Sequence, residues 1–227
     1  MPKQVTKTVY TFAELLERSD ERASQRARDW LIEGVNDHDW WDNTRTTWRL
    51  ALLQIGFLEI DISFRGFGSQ GDGASFTAQV DVATLLNFLT TEIEPTEVIS
   101  FDGQREDFRG WLIHEIGRVR DPDLAPLKAH AKDLLARVTR DQYGGNYVHA
   151  NTCSFSVAED GNVELSCPSE LVDRFERAGE ALRSKLSNAI YRDLEEDYNY
   201  QTSDEALAES AEANDWYFTA EGRHERV

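Results

Sequence analysis

The sequence contains little cysteine, little positive charge and no long apolar run. Two cysteines in 227 residues are too few for a disulfide framework, which indicates a reducing, cytoplasmic environment. No stretch approaches the roughly 20 apolar residues that a membrane-spanning helix needs, and the N-terminal segment lacks the apolar core of a signal peptide. We therefore expect a cytoplasmic protein that does not enter a membrane.

The shortage of Lys and Arg also argues against partners that carry negative charge, such as nucleic acid and anionic membranes. The chain has 24 Lys and Arg against 42 Asp and Glu, for a formal net charge of −18. Because contacts to a phosphate backbone require basic side chains, we expect no direct binding to nucleic acid, and anionic membranes are repelled as well. Half of the excess lies in residues 193–227, which carry eleven Asp and Glu and two Arg. This acidic region is either a solvated surface or a surface for a basic protein partner; the oligomeric state is left open.

The apolar content, 40% of the residues, is enough for a sizeable core. We found no internal repeat and no linker, so we predict a single domain over residues 1–227. Thr11 and Glu14 form a capping box for a first helix, and Ser19 is the expected cap of a second. Further helices are predicted from about Asp39, at about 82–93, 105–116 and 123–139, from Pro168 to about Asp197, and after a second capping box of Thr202 and Glu205.

Two segments alternate between apolar and polar residues and predict β-hairpins. In the first, Leu58, Ile60, Ile62 and Phe64 face the core, and Phe64 pairs with Phe76. The second spans residues 147–166, and its best apolar match sets Cys153 opposite Cys167, both reduced, with Phe155 opposite Leu165. The predicted fold is therefore α+β: an antiparallel sheet of two hairpins packed against several α-helices.

The turn of the first hairpin, residues 66–73, is called the glycine loop below because it contains four glycines. Glycines allow successive backbone N–H groups to form a concave nest for an anion. The loop is neither a Walker A motif nor a dinucleotide fingerprint. The alternative to an anion-binding loop is a wide hairpin turn with no ligand. The candidate ligand-binding residues are Arg65, Gly68, Ser69, Gln70, Gly71, Asp72, Gly73 and Ser75.

A second candidate feature lies in the other hairpin, where the core face becomes polar at Tyr147 and His149. This pattern indicates either a lined pocket beside the glycine loop or a strand that extends beyond its helical cover. If the protein is an enzyme, His149 and Asp72 are the candidate acid–base pair. We expect no metal and no cofactor, because no metal-ligand spacing or nucleophile motif is present.

Three segments resemble a family of uncharacterised bacteriophage and prophage proteins. These are residues 10–15 (YTFAEL), 64–76 (FRGFGSQGDGASF) and 202–206 (TSDEA), which match the family patterns YTFxEL, FxGFxSQGDGASF and TSDEA. The resemblance implies a phage context, and hence the host cytoplasm, and it assigns no catalytic residue.

These observations favour a non-catalytic accessory protein of phage type. It would bind a small anionic or nucleotide-like ligand through the glycine loop and so counteract a host defence signal. One alternative is an acidic inhibitor or DNA mimic that acts on a basic host enzyme. Another is a small phosphodiester hydrolase that uses His149 and Asp72.

Overall fold

The computed structural model describes residues 7–97, 108–141, 147–159 and 168–226. Contacts group the chain into two compact units, residues 43–194 and residues 1–42 with 195–227. The single domain over residues 1–227 stays a prediction. The helices are α1 (Phe12–Glu17), α2 (Glu21–Asn36), α3 (Asp42–Gln54), α4 (Val82–Thr90), α5 (Phe108–Ile116), α6 (Ser169–Gln201) and α7 (Asp204–Ala213). The strands are β1 (Phe57–Arg65), β2 (Gly73–Val80), β3 (Leu134–Arg140), β4 (Cys153–Glu159), β5 (Tyr217–Phe218) and β6 (His224–Glu225).

The unit of residues 43–194 contains a four-stranded antiparallel sheet in the order β1-β2-β3-β4, together with helices α3 to α5 and most of α6. Its core contains fully buried aromatic side chains from helices and strands alike, among them Trp48, Phe57, Phe76, Phe108 and Phe175. The predicted α+β fold with an antiparallel sheet is confirmed.

The β1–β2 hairpin forms as predicted, but its register differs from the expected one. Phe64 pairs with Ala74 rather than Phe76, since the glycine loop is tighter than the sequence pattern suggested. A bulge after Leu58 places one extra residue in β1, and Glu59 there adopts φ +51°. The bulge shifts the side-chain alternation, so Phe57 is buried whereas Leu58 is 39% exposed. The prediction that Leu58 faces the core was wrong.

The helix predicted over residues 123–139 was also wrong. Pro122–Asp133 forms a 3₁₀ helix, and the chain then continues as strand β3. Along β3, Leu134, Ala136 and Val138 are buried while the residues between them are exposed, which is the period of a strand. Pairing with both β2 and β4 outweighs the helical propensity of its Leu, Ala and Arg residues.

Strand β4 pairs with β3, with Phe155 opposite Val138. Its predicted hairpin partners, including Leu165 and Cys167, lie outside the described residues. The outward N–H groups of β4 donate to side chains of α6: Phe155 N–H to Glu180 Oε2 at 2.8 Å and Val157 N–H to Glu176 Oε1 at 3.4 Å. Two carboxylates therefore satisfy backbone donors along this strand edge.

The second unit is built from α1, α2, α7 and the β5–β6 pair. The capping box of Thr11 and Glu14 is confirmed, while Asp20 rather than Ser19 caps α2, and Ser203 rather than Thr202 caps α7. Phe218 is fully buried, and its N–H donates to Tyr10 O at 2.8 Å. The acidic C-terminal region therefore contributes Leu207, Ala211 and Phe218 to the core of this unit. None of the described helices has both the length and the apolar character of a membrane-spanning segment.

Candidate functional site

The glycine loop is closed by one of its own side chains. The Asp72 carboxylate accepts the Ser69 N–H at 2.7 Å, and the Asp72 N–H donates to Ser69 O at 3.1 Å. Gly66 adopts φ +43°, and a Cβ there would lie 2.9 Å from the Asp72 carboxylate. The Ser69 amide, which could have faced an external anion, therefore binds an internal one.

The loop packs directly against the segment of residues 147–149, which agrees with the interpretation that placed this segment beside the loop; the lined pocket stays a prediction. The Val148 N–H donates to Gly71 O at 3.3 Å. A Cβ on Gly71 would overlap the ring of Tyr147, and a Cβ on Gly73 would lie 2.8 Å from His149 Cα. Glycine is therefore required at both positions by close packing. The ligand-binding role of the loop stays a prediction.

Phe67 anchors the other side of the loop, and the sequence analysis did not identify it. Its ring stacks on Tyr191 of α6 with a centroid distance of 5.4 Å and on Phe64 at 6.2 Å. A single aromatic residue among four glycines was the available signal, since an apolar ring in a polar turn usually has a packing partner. The loop is therefore held on two sides, by α6 and by residues 147–149.

His149 caps a short 3₁₀ turn, Ala150–Thr152, and its Nδ1 accepts the Asn151 N–H at 3.0 Å. Among the described residues, His149 and Asp72 form no hydrogen bond with each other, and each accepts an N–H from its own segment. The acid–base pair of the hydrolase alternative is not preassembled, and that alternative stays a prediction.

Close to the 147–149 segment lies an ion pair between the buried Arg183 and Glu180, whose side chain is 44% exposed; the sequence pattern did not indicate it. Arg183 of α6 is 1% exposed; it donates to Ala150 O and, from Nε, to Glu180 at 2.9 Å. Glu180 in turn accepts the Phe155 N–H. Burial alone would raise the pKa of Glu180, but the hydrogen bond from Arg183, the Phe155 N–H and the charge of Arg183 together lower it. Arg183 thus links α6 to the chain just after His149.

Two residues considered in the sequence analysis lie in the core. Ser75 is 2% exposed, so it does not belong to the loop surface as predicted. Burial raises the pKa of the Cys153 thiol, although Ser75 and the charges of Arg183 and Arg140 oppose this. A buried thiol with a raised pKa is a poor nucleophile.

The surface of the site is polar apart from one ring. Arg65, Gly68, Ser69 and Gln70 are exposed, and the Tyr147 side chain is 53% exposed although it touches Gly71. Among the residues that the structure describes, no group of three His, Cys, Asp or Glu could hold a metal ion.

Three cavities in the described part of the chain are lined by residues outside the glycine loop and the 147–149 segment. One, of about 200 Å³, is lined by residues of the 43–194 unit such as Phe88, Ile113 and Arg118. The other two, of about 330 Å³ and 510 Å³, lie within the unit of residues 1–42 and 195–227 and share Trp216 in their lining.

The fold and the site together define an α+β protein with a glycine loop braced by an aromatic segment. The family model described as Domain of unknown function (DUF8835) matches residues 40–204, and the chain belongs to this family. No curated protein and no solved structure matches the chain. The matched range includes the whole of the 43–194 unit, so the glycine loop, Tyr147 and His149 are part of the family domain.

Proposed function

We propose that the protein is a non-catalytic binding protein that holds a small nucleotide-like ligand against the glycine loop and residues 147–149. One observation carries this proposal: the ring of Tyr147 is about half exposed and lies directly against the backbone of Gly71 in the glycine loop. An exposed aromatic ring can stack on a nucleobase, and such stacking contributes about 1–3 kcal/mol.

Because Asp72 closes the glycine loop, we assign the phosphate and the base of the ligand to different side chains around the loop. Since Asp72 already occupies the Ser69 amide, the phosphate of a ligand would depend on nearby guanidinium groups. Arg140 donates from Nη2 to Tyr147 O at 3.2 Å, and Arg65, the last residue of β1, directly precedes the loop. The exposed Ser69 and Gln70 side chains supply neutral hydrogen-bonding groups for the base.

The resemblance to phage proteins supports the biological part of the proposal. In the cytoplasm of a host cell, a protein of this kind would capture a nucleotide-like signal molecule without altering it. Capture by mass action lowers the free concentration of the signal, so no catalytic residue is needed to counteract a host defence.

The test is native mass spectrometry of the full chain after incubation with a cell nucleotide extract. Tyr147→Ala should lower retention of the ligand by at least about tenfold, because the stacking ring is lost. Tyr200→Ala, which removes a ring that is 58% exposed on α6, is the matched control and should retain it. Equal retention by both variants would contradict the proposal.

A second candidate, binding of a basic protein partner, is favoured by a different observation. The cavity of about 510 Å³ is lined by Glu205, Glu209, Glu212 and Asp215, together with Trp216 and Tyr217. Spacing of four and three residues places the three glutamates on one face of α7. Carboxylates beside aromatic rings suit Lys and Arg side chains through ion pairs and cation–π contacts.

This candidate is tested by titrating the full chain with an oligo-lysine peptide and following tryptophan fluorescence at two salt concentrations. Binding should weaken with salt and should be lost in a Glu209→Lys, Glu212→Lys double variant. The control is Glu17→Lys with Glu33→Lys, which makes the same change in net charge elsewhere. Equal losses in the two double variants would show that net charge alone attracts the peptide.

A further inference from the structure

The cavity of about 330 Å³ in the unit of residues 1–42 and 195–227 differs in chemistry from the rest of the protein. Asp, Glu, Lys and Arg make up 29% of the sequence, yet none of them is among the described residues that line this cavity. The lining combines apolar and aromatic side chains with a few neutral polar ones: His38, Trp40, Gln201, Ser210, Asn214 and Trp216.

The size of the cavity suits a small organic molecule. Ligand sites in proteins are usually about 300–1,000 Å³, and a cavity of about 150 Å³ already holds benzene. A volume near 330 Å³ therefore has room for a fused ring system. It is too small for a folded partner.

The polar groups of the lining have hydrogen-bonding capacity to spare. Asn214 Nδ2 donates to Ser210 O at 2.8 Å, and this bond leaves the Asn214 Oδ1 as an acceptor. Within the described chain, the side chains of His38, Gln201 and Ser210 form no hydrogen bond. Imidazole, amide and hydroxyl groups both donate and accept, which matches the mixed edge of a heterocyclic base.

Two indole rings complete the lining. Trp216 is held edge-on by Trp30 at a centroid distance of 5.2 Å, and Trp40 packs at 5.3 Å from Tyr198. Each ring is thus positioned by an aromatic neighbour before a ligand arrives, and half-buried indoles are effective surfaces for base stacking.

We propose that this cavity binds an uncharged heterocyclic ligand of nucleobase or nucleoside type against Trp40 and Trp216. The absence of Lys and Arg among the described lining residues, in a protein of net charge −18, disfavours a phosphate group at this position. The site is separate from the glycine loop and does not depend on the function proposed above. It also lies mostly outside the range that the family model matches.

The experiment is a tryptophan fluorescence titration of the full chain with adenosine, guanosine, cytidine and uridine, and with adenosine monophosphate in parallel. At least one nucleoside should quench the fluorescence saturably, and the monophosphate should bind more weakly than adenosine. Glucose is the probe for an alternative occupant, since sugars also pack on indole rings. Saturation by glucose but by no nucleoside would overturn the proposal.

Two variants locate the binding site. His38→Ala removes an exposed side chain with no hydrogen bond to the described chain and should weaken binding about fivefold. Ser210→Phe should fill the cavity and abolish binding, with circular dichroism as the check on folding. His114→Ala, an exposed histidine of α5, is the control and should leave the affinity unchanged.

Tyr147→Ala should also leave nucleoside affinity unchanged, which separates this site from the one at the glycine loop. If nucleoside binding were lost in Tyr147→Ala but kept in His38→Ala, the proposed cavity would be the wrong site. If Ser210→Phe fails to fold, the comparison of His38→Ala with His114→Ala decides the result.

Discussion

At the scale of single residues, the glycines of the loop have distinct local explanations. Gly71 and Gly73 make room for Tyr147 and His149, and Gly66 makes room for Asp72. A Cβ on Gly68 would meet no atom within 4 Å, so glycine is needed there only for its φ of +103°. Substitutions at Gly71 or Gly73 therefore disturb packing, which makes them poor probes of ligand binding.

The loop glycines should differ in their sensitivity to alanine. Gly73→Ala should lower the free energy of unfolding by about 2–3 kcal/mol, because the new Cβ would meet His149 Cα and Val148 O, which are backbone atoms. Gly68→Ala should lower the free energy of unfolding by about 1 kcal/mol, because alanine is strained at the positive φ of this position although its Cβ would meet no other atom. Urea unfolding measures both. Equal costs would show that the loop does not press against the 147–149 segment.

Arg183 should be among the most sensitive charged residues of the protein. Arg183→Ala leaves the Ala150 carbonyl and the Glu180 carboxylate without their buried partner, so we expect a loss of about 2–4 kcal/mol in unfolding free energy. Arg177→Ala, an exposed change on the same helix, should cost less than about 0.5 kcal/mol. A loss of that small size in Arg183→Ala would mean that solvent replaces these bonds.

At the scale of elements, the contact between α6 and β4 is made by carboxylates as well as by apolar packing. Glu176 and Glu180 accept N–H groups from the edge of β4, and Gly179 lies between them in sequence, where a side chain would collide with the ring of Phe155. Helix and strand therefore approach closely at this glycine. Protonation of the Glu176 or Glu180 carboxylate would therefore weaken the hydrogen bonds at this edge of β4.

The stabilisation that Glu180 contributes to this contact should decrease as the pH falls. Because the pKa of Glu180 is lower in the folded state than its ordinary value near 4.5, the unfolded state binds more protons in acid. The stabilisation is fully present above about pH 4.5 and is lost as the pH falls through the folded pKa. Between neutral and acid pH, the unfolding free energy should therefore fall less in Glu180→Gln than in the wild type. An identical fall in both would contradict the assignment.

At the scale of the whole molecule, the family domain and the second unit have different cores. The core of the second unit includes residues from both ends of the chain, and Phe12, Leu31, Leu207 and Phe218 are all buried there. The last part of the chain is therefore structural as well as acidic. The cavities proposed for a base and for a basic partner both depend on it.

Deleting residues 201–227 should lower the melting temperature, because α1 and α2 lose the apolar side chains that α7 and Phe218 bury against them. Hydrogen exchange should show α2 losing protection while β2 and β3 keep theirs, since the sheet has its own core. Calorimetry and exchange on the shortened chain provide the check. Full protection of α2 in the shortened chain would mean that packing against α7 contributes little to the stability of α2.

Features that depend on neighbouring residues could be predicted from the sequence alone. The β1–β2 hairpin, the capping box of Thr11 and Glu14 and the helix at about 82–93 depend on residues a few positions apart, so the α+β class followed from them. That the glycine loop lies beside Tyr147 and His149 was one of two interpretations of the sequence, and it came from two local anomalies in separate segments; the contact between them is present.

Features that depend on distant partners arise only in the folded chain. Strand β3 is a strand because β2 and β4 supply its hydrogen bonds, although its composition suits a helix. The bulge at Glu59, the burial of Ser75 and the contact of Arg183 with Ala150 also depend on the packing of segments that are separate in sequence. Local propensities are worth tenths of a kcal/mol to about 1 kcal/mol per residue, and sheet pairing with burial exceeds them.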